Sequence, residues 1–201
     1  MQVFKVLPLD FSSNSYILTA DNKTAVTIDP SLQTLEVLDR KGLICTHVLL
    51  THGHFDHVGA CGELFSKGAH ICCSEREKDL IFSKEYLGIF GGVSVPEFEI
   101  CRTFKDGEEV SLCGINFKVI ETSGHTLGSC CYLTDNYIFT GDTLFRGSVG
   151  RWDLPTGNFI SLSKSLKKLA ALEGDYKICC GHGEDTTLHR ERAYNPYLRN
   201  I

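Results

Sequence analysis

The segment Thr51-His52-Gly53-His54-Phe55-Asp56-His57 places four metal-ligand side chains in six positions of a chain with only eight histidines. Imidazole is a borderline-soft donor suited to zinc or iron, and carboxylate adds charge and can bridge two ions. His52 and His54, two apart in an extended loop, can point the same way, whereas Asp56 and His57 lie beyond a bend and can face a second ion. Three chance histidines in a polar loop are the weaker explanation. Two ions need more donors than this loop supplies. The remaining candidates are His125 in Ser123-Gly124-His125-Thr126, Asp142 in Thr140-Gly141-Asp142-Thr143, and His182 in Gly181-His182-Gly183. In each the polar residue is flanked by glycine, which permits the sharp backbone that brings a short ligand to an ion. One Gly-Asp pair alone is a turn more often than a ligand. Three such sites in register with the first loop are hard to explain as turns.

Ligands of this kind must be carried at strand ends, and the chain supplies them. An apolar run over 45–51 reads as a short buried strand feeding the histidine loop. Runs over 115–121, 137–140 and 176–180 read as strands that end just before His125, Asp142 and His182. Further strands are expected over 2–7, 15–20, 25–29, 70–73, 109–112 and 129–134, with turns at Asp21-Asn22-Lys23, Cys113-Gly114 and Asp135-Asn136. Leu32, Leu35 and Leu38 mark a helical face from Pro30 to about Arg40, closed by Gly42. A second helix is expected over 58–66. A third, over 75–82, follows a capping box formed by Ser74 and Glu77. A fourth, amphipathic one covers 159–172. Residues 84–96, with Gly88, Gly91, Gly92 and Pro96, read as a long surface loop, and the last residues as a partly ordered tail. Strand clusters alternating with helices in two similar halves indicate sheets covered by helices, in one domain spanning 1–201.

Composition narrows the function. Apolar content of 42%, charged content of 22% and a net charge of -5 are ordinary for a globular protein. Without a block of Lys or Arg, a surface that tracks nucleic-acid phosphates is not expected. No stretch approaches the roughly 20 apolar residues of a membrane helix, and the first residues lack the pattern of a secretory leader, so a cytoplasmic protein is expected. The ten cysteines include Cys72-Cys73, Cys130-Cys131 and Cys179-Cys180 inside apolar runs. Neighbours on a strand face opposite ways, so these read as reduced packing residues and not as a disulfide framework. His47, His70 and His189 read as packed or surface residues, and Trp152 and Tyr86 as core or pocket wall. Arg146 and Arg151 sit in a Gly-rich loop after Asp142, where they can hold an acidic substrate group or pin the loop to nearby carboxylates.

The order His-x-His-x-Asp-His, then a separate His, a Gly-Asp and a Gly-His, resembles the metallo-β-lactamase fold superfamily over nearly the whole chain. The resemblance implies an α/β (α+β) fold, a four-layer αβ/βα sandwich with the site at one edge between the two sheets. It implies that His52, His54 and His125 hold one ion, that Asp56, His57 and His182 hold the other, and that Asp142 bridges them. It implies two divalent ions per chain, zinc first, with iron or manganese as alternatives. Ile28-Asp29-Pro30 also matches a superfamily position, where Asp29 would support the ligand loop; an N-cap role for Asp29 is the other reading. The run from Gly141 to Arg151 is similar to short glyoxalase II-like members, and the 19 residues after His182 leave no room for the C-terminal helical domain of full-length glyoxalase II. The implied activity is hydrolysis of a small-molecule thioester of the S-2-hydroxyacylglutathione type by a hydroxide shared between the ions, with Asp56 orienting it. Persulfide dioxygenases, which use one iron and oxygen, share the motif and are the nearest alternative. A non-catalytic metal-binding protein is the alternative of another class. β-Lactam hydrolysis is less expected, since that branch is typically exported.

Overall fold

The computed structural model describes residues 1–9, 11–83, 86 and 97–199. Apart from Tyr86, the loop expected over 84–96 lies outside the described residues. Six strands form the first sheet in the order β1 to β6: β1 (Gln2–Val6), β2 (Ser15–Thr19), β3 (Thr24–Ile28), β4 (Ile44–Leu49), β5 (His70–Ser74) and β6 (Ile100–Phe104). Its first pairings are antiparallel hairpins, and β3 to β6 run parallel. The crossovers that parallel strands require carry α1 (Leu32–Lys41) and the short α2 (Cys61–Ser66) onto one face. Gly42 closes α1 as expected. At φ 62° it adopts the left-handed conformation, and its N–H reaches the carbonyls of Leu38 and Asp39.

The second sheet is built from β7 (Glu109–Leu112), β8 (Ile115–Glu121), β9 (Cys130–Thr134), β10 (Tyr137–Gly141), β13 (Lys177–Cys180) and β14 (Thr186–Thr187), in the spatial order β14-β13-β10-β9-β8-β7. Between β10 and β13 the chain forms a small hairpin, β11 (Leu144–Phe145) with β12 (Ser148–Val149), and then α3 (Phe159–Ala170). Leu162, Leu166 and Leu169 of α3 and Leu188 of α4 (Leu188–Tyr194) pack on the outer face of this sheet against Ile120, Ile138 and Ile178. Leu38, Cys61 and Leu64 cover the outer face of the first sheet, against Ile17, Val48 and Ile71. Between the sheets, Tyr16, Val26, Leu49 and Phe104 meet Phe117, Tyr132 and Phe139. The result is the expected helix–sheet–sheet–helix sandwich.

Cysteine pairs show the layering residue by residue. Cys72, Cys130 and Cys179 point into the space between the sheets, while Cys73, Cys131 and Cys180 point under the helices. None of the ten is bridged.

The structure corrects several expectations. Residues 75–82 form consecutive turns and no helix. The expected capping box fails because its two side chains are engaged elsewhere. Ser74 Oγ donates to the Gly128 carbonyl, and the Glu77 carboxylate accepts from Gly53, Thr126 and Gly128. The helix expected over 58–66 starts only at Cys61, preceded by a 3-10 turn over Phe55–His57. Strand β6 was not foreseen; as a half-exposed sheet edge it lacks a clear apolar pattern. The tail is ordered through Arg199, because Arg192 donates to the carbonyls of Ala170, Leu172 and Gly174, and Asn195 to those of Phe145 and Ser148. No described helix is long and apolar enough to cross a membrane.

Candidate metal centre

The loops that follow β4, β8, β10 and β13 meet at one end of the sandwich and bring all seven expected ligands together. His52 Nε2, His54 Nδ1 and His125 Nε2 lie 3.0–3.2 Å from one another. Three ring nitrogens at that spacing fit three corners of the tetrahedron around an ion with ~2.0–2.1 Å metal–nitrogen bonds. A second group consists of Asp56, His57 and His182, with His182 Nε2 3.1 Å and His57 Nε2 3.6 Å from Asp56 Oδ2. Asp142 lies between the two. Its Oδ1 is 3.4 Å from His57 Nε2, and its Oδ2 is 3.6 Å from His125 Nε2 and 3.5 Å from His182 Nε2. Buried His57 Nε2 and Asp142 Oδ1 have no hydrogen-bond partner. Orphaned polar atoms of this kind are costly unless something coordinates them, and a cation between them would satisfy both.

Local structure explains how the loops converge. Gly141, at φ 47°, turns the chain directly under Thr51, where a Cβ would overlap the threonine hydroxyl. The Cys130 N–H donates to the Thr51 carbonyl and ties the two sheets together beside the site. His125 Nδ1 faces the Arg151 carbonyl at 2.7 Å, which leaves Nε2 free for the centre. Asp29 does not cap α1, whose N-cap is Ser31. Its carboxylate accepts from the Thr51 N–H (2.8 Å) and Thr51 hydroxyl (2.6 Å), and meets His57 Nδ1 at 2.9 Å. The ligand-loop reading of Asp29 is therefore the one the structure shows. Thr51, Glu77 and Asn14 were not foreseen. Asn14 Nδ2 donates to the carbonyls of Cys180 and Gly183, on either side of His182. Nothing local in the sequence marks it. Glu77 carried a signal, but its spacing from Ser74 read as a helix cap.

The centre sorts its titratable groups into two kinds. Burial, reinforced by His57, His54 and His125, holds His52 well below the usual imidazole range. Burial and the same kind of neighbours bring His54 down to about 3. These rings are neutral and ready to donate to a cation. Burial also opposes a proton on His57, but Asp56, Asp29 and Asp142 outweigh it and raise its pKa well above the usual value. His182 is raised as well: burial works against its proton, and the Asp56 hydrogen bond and Asp142 prevail. Burial would raise Asp56 and Asp142, yet His57 first among their neighbours lowers both. Glu77, held by burial against its hydrogen bonds, rises to about 7.

A cavity of about 320 Å³ opens over the centre. His54, Asp56, His125, Asp142 and His182 face it, Phe145, Val149 and Leu154 supply apolar wall, and Arg151 also lines it. The Arg151 guanidinium pairs in parallel with Asp153, at 2.9 Å for both contacts. Arg146 pairs with Glu184 and is not part of the described lining. Tyr86 is buried with its ring tilted against His54, centroids 4.9 Å apart, and Trp152 packs on Phe159. His47 is half-buried against His70, away from the centre.

Residues 9–182 match the family model described as the metallo-beta-lactamase superfamily. The chain belongs to this superfamily. It is 35% identical over 210 residues to hydroxyacylglutathione hydrolase GloC of Haemophilus influenzae, covering 98% of both chains. Among solved structures it is similar to the BLEG-1 B3 metallo-beta-lactamase, with a TM-score of 0.90 and 28% identity over 98% of this chain and 99% of that one. It is also similar to TTHA1623 in a di-iron-bound form, with a TM-score of 0.82 and 32% identity over 97% of this chain and 100% of the other. Membership of the superfamily accounts for the sandwich and for a cluster of His and Asp suited to metal. The superfamily consists mainly of metal-dependent hydrolases.

Within this superfamily member the support of His57 by Asp29 can be tested. Asp29→Asn sets an amide N–H against one of the donors from Thr51 or His57. Such a change in an outer hydrogen-bond partner costs about 10–100-fold in metal affinity. The loss is expected at the group containing His57, with the His52, His54 and His125 group less affected. Metal titration of the purified variant measures it, and equal loss at both groups would contradict the assignment.

Proposed function

We propose that this chain is a binuclear metallohydrolase acting on thioesters of the S-2-hydroxyacylglutathione type. The observation that carries the reading is the arrangement of three overlapping donor groups, His52-His54-His125, His52-His57-Asp142 and Asp56-His57-His182, each with its ligand atoms within 4.8 Å. Two divalent cations held by these groups would polarise a carbonyl and lower the pKa of a shared water to about 7. Zinc suits the His-rich group, and mixed His and carboxylate donors also suit iron or manganese. The likeness to a di-iron-bound structure and to a hydroxyacylglutathione hydrolase supports this reading.

The chain's own residues do the rest. Asp142 joins the two groups, and Asp56, ionised and open to the cavity, orients the attacking water. Phe145, Val149 and Leu154 receive the acyl group and keep bulk water from it. A thiol has a pKa of ~8.5, so a thiolate leaves near neutral pH without a dedicated proton donor. Arg151 exchanges Asp153 for an acidic group on the substrate. Both partners are exposed, where water and salt screen such a pair, so the exchange costs little. Unbridged cysteines fit the reducing cytoplasm.

The test combines metal analysis of the purified protein with three assays. These are hydrolysis of S-lactoylglutathione, oxygen consumption with glutathione persulfide, and β-lactam hydrolysis. About two ions per chain with thioester turnover supports the proposal. One iron with oxygen consumption replaces it by a dioxygenase, β-lactam turnover alone by a lactamase, and metal binding without turnover by a non-catalytic protein. Within the proposal, Arg151→Ala raises KM for an acidic thioester about tenfold while changing a neutral one much less, because only the acidic one loses a charge-assisted hydrogen bond. Equal effects on the two substrates would remove Arg151 from recognition.

A further inference from the structure

Glu77 is fully buried, and its described partners are all neutral. Its Oε1 accepts from the Gly53 N–H at 2.8 Å. Its Oε2 accepts from the Thr126 hydroxyl and the Gly128 N–H, both at 3.0 Å. Gly53 stands between His52 and His54, and Thr126 directly follows His125. One carboxylate therefore spans the two loops whose three ring nitrogens converge. The surrounding turn is fitted to the same purpose. A Cβ at Gly53 would overlap Ile81, and one at Gly128 would overlap the Glu77 backbone nitrogen, so both loops lie hard against residues 77–81. Ser74 Oγ holds the Gly128 carbonyl at 2.7 Å, and Ser129 Oγ holds Thr126 at 2.7 Å. A carboxylate buried without a cationic partner is expensive, and well-packed apolar residues would stabilise the core at least as well. What it contributes is geometry: two acceptor atoms at a fixed separation, each assigned to one loop.

We propose that Glu77 is a positioning residue that sets the spacing of His52 and His54 against His125, and so the affinity and coordination geometry of that group for a cation. This deepens the reading of the three histidines as a cation site and rests on it. Glutamine has the same shape but one acceptor and one donor. Whichever way its amide is turned, an N–H opposes the backbone N–H of either Gly53 or Gly128. One arm of the clamp then opens while the packing stays.

The test titrates metal-stripped wild type, Glu77→Gln and Thr126→Val with cobalt(II), following both affinity and the visible absorption of the bound ion. Near-ultraviolet circular dichroism confirms the fold. For Glu77→Gln we expect one class of cobalt site to weaken about 10–100-fold, the range for lost outer support, with a shifted absorption band, and the other class to stay within about threefold. Thr126→Val removes a single arm and is expected to weaken the same class by less. It also decides the matter if Glu77→Gln does not fold. Unchanged affinity and spectrum in the folded variants overturn the positioning role and leave the hydrolase reading intact. Equal weakening of both classes overturns it too, since that is general loosening. A wild-type protein that binds no cobalt removes the underlying reading, and the proposal with it.

Discussion

Asp142→Ala is expected to lower metal content and hydrolysis together, and more steeply than any other single ligand change. The two oxygens of this carboxylate are divided between the groups. Oδ1 faces His57, and Oδ2 faces both His125 and His182. Every other ligand can be lost from one group with the other left whole, whereas alanine here removes a donor and a negative charge from both. Removing a partner outside the ligand set already costs about 10–100-fold in affinity, so a shared ligand should exceed that range. In the metal-free protein the variant gives up the stabilisation between the Asp142 carboxylate and His57, so near-ultraviolet circular dichroism checks that it still folds. The measurement is metal content by elemental analysis beside kcat/KM for the thioester. Full activity with two bound ions would exclude the bridging assignment.

Acidification is expected to release the cation held by Asp56, His57 and His182 before the one held by His52, His54 and His125. His57 and His182 both take up protons more readily than an ordinary imidazole. A proton on either nitrogen must leave before a cation can bind, so each displaced proton weakens binding about tenfold per pH unit. His54, at about 3, and His52, lower than usual, displace none near neutrality. The group of His52, His54 and His125 should therefore lose less affinity than the other, which loses about tenfold per pH unit for each proton displaced. The same shifts set the stability of the metal-free protein. His57, raised above 6.5, stabilises the fold below that value, and this contribution is lost as pH rises through its folded pKa. Asp56 and Asp142, lowered below 3.8, stabilise it above that value, and theirs is lost as pH falls through their folded pKa values. His52 and His54, lowered below 6.5, subtract stability as pH falls from that value, so metal-free protein should melt highest near 6.5. Thermal melts in chelator and metal titrations across pH test both statements. Parallel pH dependence of the two groups would refute the division.

The donor set was legible before any coordinates. His52, His54, Asp56 and His57 are crowded into one loop, and His125, Asp142 and His182 each follow an apolar run with glycine beside them. These are local facts, because a strand end with a glycine is written in consecutive residues. The two-sheet sandwich was legible for a similar reason. Strands reveal themselves by runs of apolar residues, and the adjacent cysteines already implied faces that point opposite ways.

Contacts between residues far apart in the chain had to wait for the tertiary structure. Whether Asp29 caps α1 or supports Thr51 and His57 depends on how β3 lies beside β4, which no window of sequence contains. Glu77 stood three residues after Ser74, a spacing that serves a helix cap equally well. Only folding brought it within reach of Gly53 and Gly128 and cost residues 75–82 their helix. Edge strand β6 and the anchored C-terminal helix were hidden likewise, since half-exposed positions show no period and Arg192 finds its three carbonyl partners only across the fold. Residue type and local spacing thus marked which side chains meet at the site, and long-range packing decided which neighbours hold them in place.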